Sequence, residues 1–160
     1  ALVIPAGLRR RATGDEPPDA AAAQFAADAA ARKRIEMAAM ECVRRAEEAR
    51  GCIVKDVSAD KCGWDITSWA RSADGSMPVA RHIEVKGRIK GASTVTISHN
   101  EIMFGFNQGD KFVLAIVLVA PDGSTEGPYY VRKFVDHPPA WGTAGSIYHL
   151  HKLLERAEPQ

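Results

Sequence analysis

Three ionisable residues stand where a plain sheet strand would prefer Val or Thr: Asp65 in "GWDITSW" (63–69), and Glu84 and Lys86 in "RHIEVKG" (81–87). Side chains alternate along a strand, so Glu84 and Lys86 point to one face with His82, while Ile83 and Val85 point to the other. A Glu-x-Lys pair on an edge strand is commonly no more than a solvated ion pair. Asp65 changes that weighting. A hairpin through the 71–78 loop sets it beside Glu84, and two carboxylates so placed repel each other unless a cation lies between them. Hard divalent ions are held by one or two carboxylates plus water and phosphate oxygens, and they turn a water into a nucleophile toward phosphodiesters. A lysine alongside can orient that water or neutralise charge in the transition state. These residue types therefore suit metal-assisted phosphodiester hydrolysis.

A further acid comes from a helix. Met40, Val43 and Glu47 recur at i, i+3 and i+7, which puts Glu47 on the inward stripe, whereas Glu48 falls with Glu41, Arg44 and Arg45 on the polar face. An acid in the last turn opposes the helix dipole and needs a partner. A Glu that snorkels to solvent at the helix end weighs evenly against a site role.

Several elements must position these groups. From Ala20 to Arg50 there is no Gly or Pro, and Ile35, Ala39, Cys42, Ala46 and Ala49 recur at helical spacing, which predicts a long helix with a break near Ala30 and a stop at Gly51. The period then changes to two, and 52–58, 64–70, 79–87 and 94–98 read as short strands. "SHNE" (98–101) has the form of a capping box, which opens a helix to about Phe106 and employs Glu101 in its own backbone. An apolar strand (111–120), a turn, a strand (128–135) and a helix over 146–157 complete the order. The class is α+β: a mixed central sheet flanked by helices.

The chain has 160 residues, 46% hydrophobic and 26% charged, enough for one sizeable core. Residues 1–19 read as a linker or arm and 20–160 as the domain. The longest apolar run, 112–120, is too short to cross a membrane as a helix, so no membrane partner is expected. Cys42, Cys52 and Cys62 are odd in number and lack metal-ligand spacing, which fits a reducing, cytoplasmic setting. The net charge of +1 names no partner, although 86–90, with Lys86, Arg88 and Lys90, is a local basic cluster.

"GWDI" followed by "IEVKG" resembles the PD-(D/E)xK nuclease superfamily, with Trp64 standing in place of the Pro of the family pattern. More closely, the run from "MAAMECVRRAEEARG" through "RHIEVKGRIKGASTVTISHNEI", roughly residues 35–120, resembles the NO VEIN C-terminal domain family, modules related to that superfamily. The resemblance implies a restriction-endonuclease-like fold and a Mg²⁺- or Mn²⁺-dependent DNA nuclease. In it Asp65, Glu84 and Glu47 serve as metal ligands, Lys86 is the catalytic lysine, and Asn100, Glu101, Arg88 and Lys90 lie at the substrate. It further implies a module at the C-terminus of a helicase-like defence, restriction or repair protein, partnered by that helicase region and by DNA, with a homodimer compatible. The alternative from another class is a nuclease-like fold that has lost catalysis and binds nucleic acid or docks onto protein.

Overall fold

The computed structural model describes residues 18–71 and 79–158, with side chains from Asp28 onward. Most of the expected arm and most of the 71–78 loop lie outside the described residues. The chain divides into two compact units that part between Arg34 and Ile35. The first contributes the opening half of helix α1 (Pro18–Ala49), which runs without the break expected near Ala30. Its Ala-rich sequence contains nothing that would interrupt the hydrogen-bond ladder.

The second unit is built on a five-stranded mixed sheet. Its strands, β1 (Ile53–Asp56), β2 (Ile66–Trp69), β3 (Ala80–Ile89), β5 (Phe112–Val119) and β6 (Thr125–Arg132), lie side by side in that order. The pairs β1–β2, β2–β3 and β5–β6 are antiparallel, and β3–β5 is parallel. A parallel neighbour needs a crossover. Helix α2 (His99–Gln108) supplies part of it, after strand β4 (Thr94–Ser98).

Each sheet face carries its own core. On one side Ala39 and Val43 of α1 are fully buried against Ile66, Ile83, Val113, Ala115, Val117 and Tyr130. On the other, Phe112, Leu114 and Ile116 of β5 pack with Val95, Ile97, Ile102 and Phe134. All eight residues of β5 are buried, as expected of a central strand covered on both faces. Gly87 of β3 lets α1 come close, because a Cβ there would stand 2.9 Å from the Ala39 Cβ and 2.9 Å from the Ile35 carbonyl oxygen. Gly87→Ala is therefore expected to destabilise the domain by about 1–3 kcal/mol through overpacking, read as a lower urea midpoint. An unchanged midpoint would mean that α1 yields freely at this contact.

The C-terminal segment corrects the sequence expectation of a helix over 146–157. Strand β7 (Gly145–His149) pairs antiparallel with β4 in a separate two-stranded ribbon, and only Leu150–Leu154 form a helix, α3. β4 has no neighbour in the main sheet, so β7 supplies the partners its backbone needs. Leu150 and Leu153 keep the inward positions that produced the helical pattern. β6 likewise begins at Thr125, within the expected turn, and ends at Arg132.

Candidate active site

Asp65 sits immediately before β2, pinned by its backbone on both sides. Its N–H donates to the Ile83 carbonyl at 3.0 Å, and its carbonyl accepts from Val57 N–H at 2.8 Å. Ile66 pairs with Ile83, so continuing the antiparallel register by one residue puts Asp65 opposite Glu84. Beyond the end of β2 the Val85 N–H has no strand to receive it, and Asp65 Oδ2 accepts it at 2.9 Å. The expected juxtaposition of Asp65 and Glu84 is thus produced by register and by one side-chain-to-backbone bond.

Strand alternation places Glu84 and Lys86 on the face opposite α1, beside Leu114 and Ile116 of β5. Lys86 Nζ lies 2.9 Å from Glu84 Oε1 and 2.7 Å from Glu101 Oε2. Glu101 also closes the capping box of α2: the same Oε2 accepts the Ser98 N–H at 3.0 Å, and the Ser98 hydroxyl oxygen accepts the Glu101 N–H at 3.3 Å. The expectation that the cap employs Glu101 fully is corrected, since the cap aims its carboxylate at Lys86. Two carboxylates therefore hold one ammonium, with Asp65 opposite Glu84 on the neighbouring strand.

The electrostatics follow from burial. Glu84 is 5% exposed, and loss of water lifts its carboxyl to about 8 against the pull of Lys86, with Asp65 and Glu101 adding repulsion. Burial also raises Asp65, opposed by the Val85 N–H and Lys86. For Lys86, burial disfavours the charge, but Glu84 and Glu101 outweigh it and hold the ammonium above the ordinary lysine range. Burial likewise opposes ionisation of Glu101, yet Lys86 and the Ser98 cap prevail and its carboxyl is lowered. An acid with a raised folded value binds its proton more tightly when folded, so Glu84 costs stability as pH climbs from about 4.5 to about 8. The urea midpoint should fall across that window, and Glu84→Gln should flatten the fall. An equally steep fall in the variant would assign it to another group.

Glu47 is not brought to this array. Buried completely on the α1 side of the sheet, it accepts from Ser68 Oγ at 2.6 Å and from the Tyr130 hydroxyl at 2.7 Å, with Arg50 and Arg81 Nη1 each at 3.3 Å. Both guanidiniums lie over the Tyr130 ring, at 4.6 and 4.9 Å. Of the Met40–Val43–Glu47 stripe that singled out Glu47, Met40 is partly buried and Val43 and Glu47 are fully buried. Its partners come from β2, β3 and β6 and from the helix end, and nothing in the local sequence announces them.

The remaining expected positions separate. Arg88 shares the face of Glu84 and Lys86 by alternation, and its Nε is buried with no hydrogen-bond partner among the described residues. Lys90 lies beyond β3 and pairs with Glu126 at 2.9 Å in an exposed ion pair. Asn100 is exposed in the first turn of α2. Next to the array, Trp64 stacks on His82 with ring centroids 3.9 Å apart and donates to Thr67 Oγ1 at 2.8 Å, so its indole is employed in packing.

Among the described residues no three His, Cys, Asp or Glu side chains gather closely enough to hold a metal ion by themselves. Mg²⁺ seldom uses an all-protein cage; it takes one or two carboxylates and completes its shell with water and phosphate oxygens. Asp65 and Glu84, side by side across the strand pair, fit that role.

The fold and site define an α+β domain whose mixed sheet carries a buried acid-and-lysine array on one face. The family model described as Protein NO VEIN, C-terminal, matches residues 35–131, and the chain belongs to that family. The match begins at Ile35, where the second compact unit begins. No curated protein and no solved structure matches the chain. Among the described residues no helix is long and apolar enough to cross a membrane.

Proposed function

We propose that residues 35–160 form a restriction-endonuclease-like nuclease domain that hydrolyses DNA phosphodiester bonds with Mg²⁺ or Mn²⁺. The observation that carries the reading is the meeting of Asp65, Glu84 and Lys86: Asp65 bonds to the backbone between the other two, and Lys86 touches Glu84 at 2.9 Å. The mixed sheet and the helices around it support the same fold reading.

Asp65 and Glu84 would hold the divalent ion, which when bound supplies a Lewis acid at the scissile phosphate and a water of lowered pKa. Lys86 places a positive charge on the attacking water or on the phosphoryl oxygens as charge develops. Glu101 fixes the lysine's direction from the α2 N-terminus. Arg88, with a free buried Nε on the same face, suits a neighbouring phosphate. We place this module at the C-terminus of a helicase-like defence, restriction or repair protein, in keeping with the resemblance of its sequence.

The purified domain with Mg²⁺ or Mn²⁺ should nick supercoiled plasmid, stop on addition of chelator, and lose the activity in Glu84→Ala with its circular dichroism unchanged. Nicking that survives both chelator and Glu84→Ala would overturn the assignment. A second reading is favoured by one feature: Lys86 is already clamped between two carboxylates, as in a structural ion network. A domain that binds DNA equally with and without chelator and never cleaves it would establish that reading.

A further inference from the structure

Lys86 has acid partners on two different elements. Its ammonium lies 2.9 Å from Glu84 Oε1, on its own strand β3, and 2.7 Å from Glu101 Oε2, on α2. One carboxylate suffices to pair a half-buried ammonium, so the second calls for its own account.

The two acids differ in what else claims them. Glu84 lies opposite Asp65 across the strand pair, where the two carboxylates suit a divalent ion. Such an ion and the Lys86 ammonium are both cations and address the same Glu84 carboxylate, so they compete for it. Glu101 is outside that contest: among the described residues it does not gather with Asp65 and Glu84 into a three-acid metal set.

Glu101 is also firmly mounted. Its Oε2 accepts the Ser98 N–H at 3.0 Å, and the Ser98 hydroxyl oxygen accepts its own N–H at 3.3 Å. Phe104, three residues on and so on the same face of α2, packs against the segment that carries Asp65. Its ring stands edge-on to Trp64, with centroids 6.0 Å apart, and occupies the space that a Cβ at Gly63 would need. At Gly105 the helix closes on Phe134, where a Cβ would stand 2.9 Å from the ring. The Glu101 carboxylate is thus fixed relative to Asp65, whereas Lys86 hangs on a flexible four-carbon stem.

We propose that Lys86 changes partner during metal binding: Glu84 gives up the ammonium in order to ligate the divalent ion, and Glu101 retains it at the site. Because Lys86 already touches both acids, it needs only to release one oxygen and not to travel. The inference rests on the nuclease reading and makes Glu101 a positioning residue for the lysine. It follows that loss of Glu101 weakens a metal site to which Glu101 supplies no ligand.

Calorimetric titration of Mn²⁺ into the wild-type domain, Glu101→Gln, Lys86→Met and the double variant tests the exchange. Gln at this position still completes a capping box, so α2 keeps its start while the charge that holds Lys86 is lost. With Lys86 present, Glu101→Gln should weaken Mn²⁺ binding about ten-fold, because the lysine then falls wholly to Glu84. In the Lys86→Met background the same substitution should cost less than about three-fold, the effect of one lost nearby charge. Circular dichroism and the urea midpoint of each form verify that folded proteins are compared. Equal weakening in both backgrounds, or none with Lys86 present, would overturn the exchange and leave the metal site standing. Absence of Mn²⁺ binding by the wild-type domain would defeat the nuclease reading, and the exchange with it.

Discussion

Lys86→Ala should lower DNA cleavage by about 10²–10⁴-fold, the range seen when a positioned acid–base or charge-stabilising group is removed. The ammonium is held 2.9 Å from Glu84 and 2.7 Å from Glu101, so its position is set before substrate arrives. The variant should remain folded, because Glu84, with its carboxyl already at about 8, accepts a proton rather than remain an unpaired buried charge. Lys86→Arg should not restore the rate, since a planar guanidinium cannot replace a compact ammonium between two carboxylates. Initial rates of plasmid nicking at saturating Mg²⁺ read the effect. Loss of less than about three-fold in Lys86→Ala would remove the lysine from the chemistry.

Glu47→Ala should have the largest effect on stability, about 3–5 kcal/mol, because it strips one carboxylate from a buried pairing with two guanidiniums and two hydroxyls. Arg81 suffers most. It keeps its place on the Tyr130 ring but loses its charge partner, and its Nε and Nη2 are already buried without hydrogen-bond partners among the described residues. Glu47→Gln should cost less, since an amide oxygen still accepts from Ser68 and Tyr130. Urea unfolding of both variants separates charge from hydrogen bonding. Destabilisation of Glu47→Ala below about 1 kcal/mol would show the network to be incidental to the fold. The same variant should leave Mn²⁺ affinity unchanged in the folded protein, because Glu47 lies on the other face of the sheet from Glu84.

The part of the site that follows from strand periodicity was legible in the sequence. Alternation alone puts Glu84 and Lys86 on one face, and the short strands leave few registers that keep Asp65 away from Glu84. What escaped depends on pairing across distance. The Ser98–Glu101 cap is readable as a local motif, yet its second service to Lys86 depends on where β4 delivers α2. The stripe of Met40, Val43 and Glu47 shows that Glu47 faces inward, but not which sheet face it meets. Residues 146–157 read as a helix because Ile147, Leu150, Leu153 and Leu154 fit that period. The demand of β4 for a partner overrode the first turn and made it β7.

In the proposed nuclease the sheet does the positioning. The sheet supplies rigid strands that fix the acids and the lysine.

Calorimetric titration of Mn²⁺ into the wild-type domain and into Asp65→Ala tests the central claim most directly. The account predicts saturable binding of an ion by the wild-type protein, loss of that binding in Asp65→Ala and in Glu84→Gln, and its retention in Glu47→Gln. Absence of binding in the wild-type protein, or binding that persists in both Asp65→Ala and Glu84→Gln, would contradict a metal site built on these two carboxylates.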